Sequence, residues 1–183
     1  MSARPTRARW FPVLALVAFG TLLNYLDRTV LGVAAPSLSK ELGLTPLMMG
    51  IAFSAFSWSY ALLQIPGCIF LDRFGTRATY AVALVGWSAF TAAMGLVNSL
   101  RALVFTRIGV GAFEAPCFPA NSRILASWFP QQERARANAI YSVGMYTGIG
   151  FFSVPLFYVT QASGWRGLFF LVGATGILFK TRR

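Results

Sequence analysis

Residues Leu22–Pro36 read LLNYLDRTVLGVAAP. They close an apolar run that begins at Trp10, and Asp27 and Arg28 stand side by side near its middle. A spanning helix needs about 20 mostly apolar residues to cross a hydrocarbon core of about 30 Å, and this run is long enough. A charge at the centre of such a helix costs about 2.5–3.5 kcal/mol on insertion scales. The pair is therefore tolerable only where it meets water or other polar groups inside a bundle of helices. This stretch predicts a multi-span membrane protein with a polar interior.

The rest of the chain agrees. Of its 183 residues 56% are hydrophobic and 11% charged, where a soluble domain carries about a quarter charged. The mean hydropathy is +0.62. Six apolar segments are legible, at 10–36, 47–71, 78–97, 102–128, 137–159 and 167–179, behind a basic tail at 1–9. Turn and charge chemistry separates them: SLSKELGLTP, DRFGTR, NSLR, PQQERAR and TQASGWR. The expectation is an all-α six-helix membrane bundle. The sixth segment has only 13 residues, about 20 Å of helix. It reads as a chain that stops partway through its last span. The alternative is local bilayer thinning with Trp165 and Lys180 as interface anchors.

Lys and Arg placement gives the orientation. Arg4, Arg7, Arg9, Arg73, Arg77, Arg134, Arg136, Lys180, Arg182 and Arg183 fall on one side, against Lys40, Arg101 and Arg166 on the other. Ten against three predicts a cytoplasmic N-terminus. Arg28 and Arg107 lie within spans, and Arg123 is close enough to an end to snorkel out. The run from Trp10 far exceeds the roughly 7–15 residues of a signal-peptide core, so it reads as a retained first helix.

Several function classes drop out. The net charge of +11 punctuates apolar segments instead of forming a patch, so nucleic acid is not the expected partner. The chain has no His and only five acidic residues, which removes His-based metal sites and leaves too few groups for a membrane enzyme's acid–base cluster. No phosphate-binding G-x-x-x-x-G-K-[ST] occurs. A channel would need a repeated filter or ring. Cys68 and Cys117 lie inside apolar segments and read as small hydrophobes. No metal or organic cofactor is expected.

Asp27, Arg28, Arg107 and Glu114 remain as the informative residues, since intramembrane charges mark substrate or ion pathways. Asp27 and Arg28 point about 100° apart, so each seeks a partner on another helix. Arg107 and Glu114 are two turns apart on one face, with Gly111 between them leaving room. A cation and an acid on one cavity wall suit an anion taken up with a proton. Ser57, Tyr60 and Gln64 place hydroxyls and an amide along one face of the second span; lining and helix packing both account for them. Tyr25 is better placed than Asn24 to reach a ligand. Gly144 and Gly148 form a G-x-x-x-G that permits close helix contact, and Pro116 and Pro119 should kink the fourth span.

The segment GCIFLDRFGTR, Gly67–Arg77, resembles the cytoplasmic signature of the major facilitator superfamily, with Asp72, Arg73, Gly75 and Arg77 fitting and Cys68 where a glycine is usual. NYLDRTVLGVAAP, QIPGCIFLDRFGTR, RIGVGAFEAPCFPA and GWRGLFFLVGATGIL are similar to the anion:cation symporter branch, which includes bacterial sugar-acid carriers. The resemblance covers only the first half of a twelve-span member. It implies proton coupling by Asp27 and Glu114, anion contact or charge pairing by Arg28 and Arg107, and sugar-acid contact by Tyr25 and Tyr60, with Gln64 on the same wall. It also implies alternating access in a bacterial inner membrane, a proton as coupling ion, and a C-terminal half supplied by a second chain or a dimer mate. The rival expectation is a multi-span membrane protein or carrier fragment that does not transport.

Overall fold

The computed structural model describes the backbone of residues 7–181 and the side chains of 11–177 other than 144, 148 and 149. Arg4, Arg182 and Arg183, the side chains of Arg7, Arg9 and Lys180, and the Gly144–Gly148 pair lie outside the described set. The regular elements among the described residues are five α-helices: α1 (Arg7–Leu42), α2 (Pro46–Met94), α3 (Leu100–Glu114), α4 (Cys117–Trp128) and α5 (Gln131–Thr181).

Two of the five are interrupted along their length. At 49 and 51 residues, α2 and α5 would each measure about 75 Å if straight, more than twice a hydrocarbon core. Each is folded back at one glycine. Gly75 has φ 76° and ψ 167°, and Gly164 has φ 71° and ψ 170°. That region is open to a residue without a Cβ and strained for others. The limbs are 46–74 and 76–94 in α2, and 131–163 and 165–181 in α5. α3 and α4 are separate helices because Pro116 has no N–H for the carbonyl four residues back and starts a new helix.

Helix starts follow from local chemistry. Thr45 caps α2 by accepting from the Met48 N–H at 3.3 Å, with Pro46 in the first turn. Ser99 caps α3 through the Ala102 N–H at 3.3 Å. Chief packing partners are α1 with α5 and α2 with α3. Val30, Leu31 and Leu38 meet Trp87, Leu103, Val110, Leu168 and Phe169 in the main core. Leu47, Ile51, Trp58, Leu62, Ile65 and Ile69 remain exposed, at the spacing of one helix face, an apolar stripe suited to lipid or to another apolar surface.

Close approach of α3 to α2 depends on Gly111. A Cβ there would meet the Ser59 hydroxyl, the Phe56 carbonyl oxygen at 2.6 Å and the Tyr60 nitrogen at 3.1 Å. Backbone atoms cannot step aside, so Gly111→Ala should destabilise the bundle by about 1–3 kcal/mol, the usual cost of overpacking. Denaturation in detergent micelles checks this; an unchanged midpoint contradicts it.

Two polar clusters fasten the ends. At one end Asp72 pairs with Arg123 Nη1 at 2.8 Å, and the same nitrogen donates to the Leu71 carbonyl at 3.3 Å. Arg134 joins α4 to α5 there, donating to the Phe129 and Ala126 carbonyls. At the opposite end Glu41 accepts from Trp165 Nε1 at 2.6 Å and from Arg166 Nη2 at 3.1 Å. Arg166 also donates to the Gly95 carbonyl at 3.0 Å and the Asn98 amide oxygen at 2.8 Å. The last cluster ties α1, α2 and α5 beyond their apolar segments.

The Trp165 N–H, and after it Arg166, hold the Glu41 carboxyl below its ordinary value of 4.5. A depressed folded-state value means the stabilisation is present above about pH 4.5 and is lost as pH falls through the folded value. The difference in melting midpoint between the native chain and Glu41→Gln should therefore be open at pH 7 and close at lower pH. A gap that does not change with pH contradicts this assignment.

Candidate functional site

The intramembrane charges gather at one level. Arg28 Nε lies 3.1 Å from Glu114 Oε2, and Glu114 is fully buried at the C-terminal end of α3. Asp27, on the next helix position, turns the other way and accepts from the Thr91 hydroxyl at 2.8 Å in a fully buried contact. The 100° step between adjacent helix residues separates the pair. Arg28 therefore reaches α3 and Asp27 reaches the second limb of α2. The pair sits about 20 Å along α1 from Glu41, well away from either fastened end.

Aromatic rings hold both guanidinium groups. The Arg28 carbon is 4.9 Å from the Tyr25 ring centroid, 4.9 Å from Phe56 and 4.7 Å from Tyr60. Arg107 stands 4.6 Å from Phe56. A desolvated cation gains up to about 2 kcal/mol from such a ring face, but a ring accepts no conventional hydrogen bond.

Arg107 is the unusual member. Only 2% of it is exposed, and no carboxylate lies within 4 Å of it among the described residues. Its Nε and Nη1 are buried without an acceptor. Guanidinium is a planar fork matched to carboxylate geometry, and burying such donors unpaired is costly. Arg28 and Arg107 both line a recess of about 370 Å³ with Phe53, Ser54, Phe56, Ser57 and Trp58. The chemistry of this wall is two cations, two hydroxyls and aromatic surface, which suits a small hydroxylated anion.

The sequence candidates divide into three groups. Arg28, Arg107 and Ser57 form the recess wall. Tyr25 and Tyr60 lie behind Arg28, and with Glu114 they line a second, much smaller void. Asp27 lies deeper still, against Thr91. The acids thus stand behind the arginines and not on the recess wall beside them. Gln64 is half-buried and lines neither space. Its position on the Ser57–Tyr60 face carries it one turn too far along α2. Asp72, Arg73, Gly75 and Arg77 form the fold-back at the Asp72–Arg123 end, far from the recess.

Three contributors were not singled out from sequence. Phe56 serves both arginines; its spacing of four from Tyr60 put it on the same face. Thr91, in SAFTAAM, is a lone hydroxyl in an apolar span. Asn121 binds the Thr21 hydroxyl at 3.2 Å, a contact between positions 100 residues apart that no local pattern announces. Cys68 and Cys117 are free thiols, and no three metal-ligating side chains come together among the described residues.

Comparison with known proteins places this geometry in a family. The model of the Major Facilitator Superfamily matches residues 17–179. A D-galactonate transporter of Escherichia coli O6:H1 is 40% identical over 97% of this chain and 41% of its own length. A probable galactarate/D-glucarate transporter, GudP, of Bacillus subtilis is 39% identical over 97% of this chain and 40% of its own length. Among solved structures, a bacterial homologue of the human lysosomal transporter Spinster, inward-facing and occupied, superposes with a TM-score of 0.82. It is 28% identical and aligns with 99% of this chain and 44% of its own. The chain spans about two fifths of the length of the relatives it matches, and its bundle corresponds to their N-terminal half. The proteins of this family are membrane transporters, not enzymes, and the chain belongs to the Major Facilitator Superfamily.

Proposed function

We propose that this chain supplies the N-terminal half-site of a proton-coupled symporter for an organic anion, a sugar acid of the aldonate or aldarate class. Arg107 carries the proposal: a buried guanidinium with two unpaired N–H groups on the wall of a recess needs an acceptor, and a substrate carboxylate is one. Arg28 contributes the second cation, and Ser54 and Ser57 offer partners for substrate hydroxyls. The names of the relatives, galactonate and galactarate/glucarate transporters, agree with a hydroxylated acid.

Glu114 and Asp27 supply the protons. A carboxylate arriving at Arg28 competes with Glu114 for the same guanidinium, so protonation of Glu114 frees Arg28 for the anion. Each charge moved against 100 mV costs about 2.3 kcal/mol, so entry together with protons offsets the charge of the anion. The site lies well away from both fastened ends, which supports alternating access by two rocking halves. The Asp72–Arg123 end is cytoplasmic, in a bacterial inner membrane, and the opposing wall comes from a C-terminal half on a second chain or dimer mate.

The test is uptake of radiolabelled galactonate and galactarate into proteoliposomes under an imposed pH gradient. The chain would be reconstituted with the C-terminal half of a relative. Uptake that follows the gradient and is lost in Asp27→Asn and Glu114→Gln is expected; uptake of equal rate in those variants would rule out the proton assignment.

A further inference from the structure

Polar groups on the Asp72–Arg123 side of the Arg28–Glu114 pair lie off the recess wall. Glu114 gives Oε2 to Arg28, and its Oε1 is buried without a donor. Asn121, two turns nearer the Asp72–Arg123 end, gives its Nδ2 to Thr21, and its Oδ1 is likewise buried without a donor. Asn121 is 4% exposed and Glu114 0%. Both line one void of about 10 Å³ that Thr21, Asn24 and Tyr80 help to close.

Two acceptors lacking donors, around a space the size of one solvent molecule, call for a ligand with two donors. Water is that ligand, and a void of roughly 10–15 Å³ with two to four polar partners is what it needs. Tyr80 adds a way out. Its hydroxyl oxygen would be 2.7 Å from a Cβ at Gly20, and Gly20 and Tyr80 both line a groove of about 530 Å³ that reaches Thr76 and Arg77. Tyr80 is thus the wall shared by the inner void and this groove at the Asp72–Arg123 end.

We propose that the void is a water site through which Glu114 exchanges protons with the cytoplasm inside this half of the carrier, with Tyr80 as the connecting residue. This deepens the reading of Glu114 as a proton site and rests on it. In the inward step the water breaks an O–H bond and protonates Glu114 Oε1. Tyr80 then replaces that proton with its own, and a hydronium in the groove reprotonates Tyr80 and is left as water. One proton enters and stays on Glu114, the site water and Tyr80 end as they began, and no electrons are transferred. The groups facing Glu114 are Tyr25, Asp27 and Arg28 from α1, Tyr60 and Tyr80 from α2, Arg107 from α3 and Cys117 from α4. Of these, only Tyr80 also borders the groove.

The test is infrared spectroscopy of the chain in lipid nanodiscs after a rapid pH jump. It follows the carboxylic C=O band that disappears in Glu114→Gln. Tyr80→Phe keeps the ring and removes the relay oxygen; Asn121→Leu fills the void with an apolar side chain. Each should slow protonation of Glu114 at least tenfold while the band still reaches full amplitude. Galactarate binding, followed by calorimetry, should persist in Tyr80→Phe while the rate falls, because Tyr80 does not line the recess, so failure of the anion site and failure of this route are separable. Protonation as fast in Tyr80→Phe as in the native chain would overturn the route, whatever Asn121→Leu shows.

Discussion

Replacing Glu114 by leucine should destabilise the bundle by about 3 kcal/mol. Breaking one side of a buried ion pair costs about 3–5 kcal/mol because the partner is left charged and unpaired. The low end applies because 26% of the Arg28 side chain is exposed at the recess, so water can reach part of the orphaned cation. The rings of Tyr25, Phe56 and Tyr60 also remain over it. The double variant Arg28→Met/Glu114→Leu removes both charges and should recover most of that loss, since an apolar replacement of a whole buried pair is often neutral or stabilising. Denaturation of the single and double variants in one detergent measures the coupling. Additive losses would mean that the two residues stabilise the bundle independently.

Arg107 should behave in the opposite way. It has no carboxylate partner to lose within 4 Å among the described residues, so Arg107→Gln should change stability by no more than about 1 kcal/mol. Its effect should appear in anion binding. A hydrogen bond to a charged group contributes about 1.5–3 kcal/mol, or roughly 10- to 150-fold in Kd. Arg107→Lys keeps the charge and loses the fork, so it should restore only part of the affinity. Calorimetry with galactarate checks both variants. A large loss of stability with unchanged affinity would make Arg107 a structural residue.

Much of this architecture could be read in the chain because the membrane enforces it. The long apolar runs return as helices, and the charged turn at Asp72–Arg77 sits at one end. The number of separate helices was not legible. At Gly75 and Gly164 the backbone turns without losing helical hydrogen bonding on either side, so two apolar segments merge into one element. The charges inside the spans announced a site because burying them is expensive, and the divergence of Asp27 from Arg28 follows from helix geometry alone. What each one meets did not follow. Thr91 and Phe56 are ordinary residues in apolar spans, and only the tertiary fold brings one to Asp27 and the other beneath two arginines. Gln64 shows the limit of a face argument: shared direction along a helix does not fix depth.

The most direct measurement concerns Ser57, on the recess wall with Arg28 and Arg107. In a chain with Cys68→Ser and Cys117→Ala, Ser57→Cys would be modified by an anionic thiosulfonate, with galactarate or the uncharged galactitol present. The account predicts that galactarate slows modification about tenfold or more, that galactitol has no effect, and that Arg107→Gln abolishes the protection. Modification at one rate with and without galactarate would contradict an anion site between these two arginines.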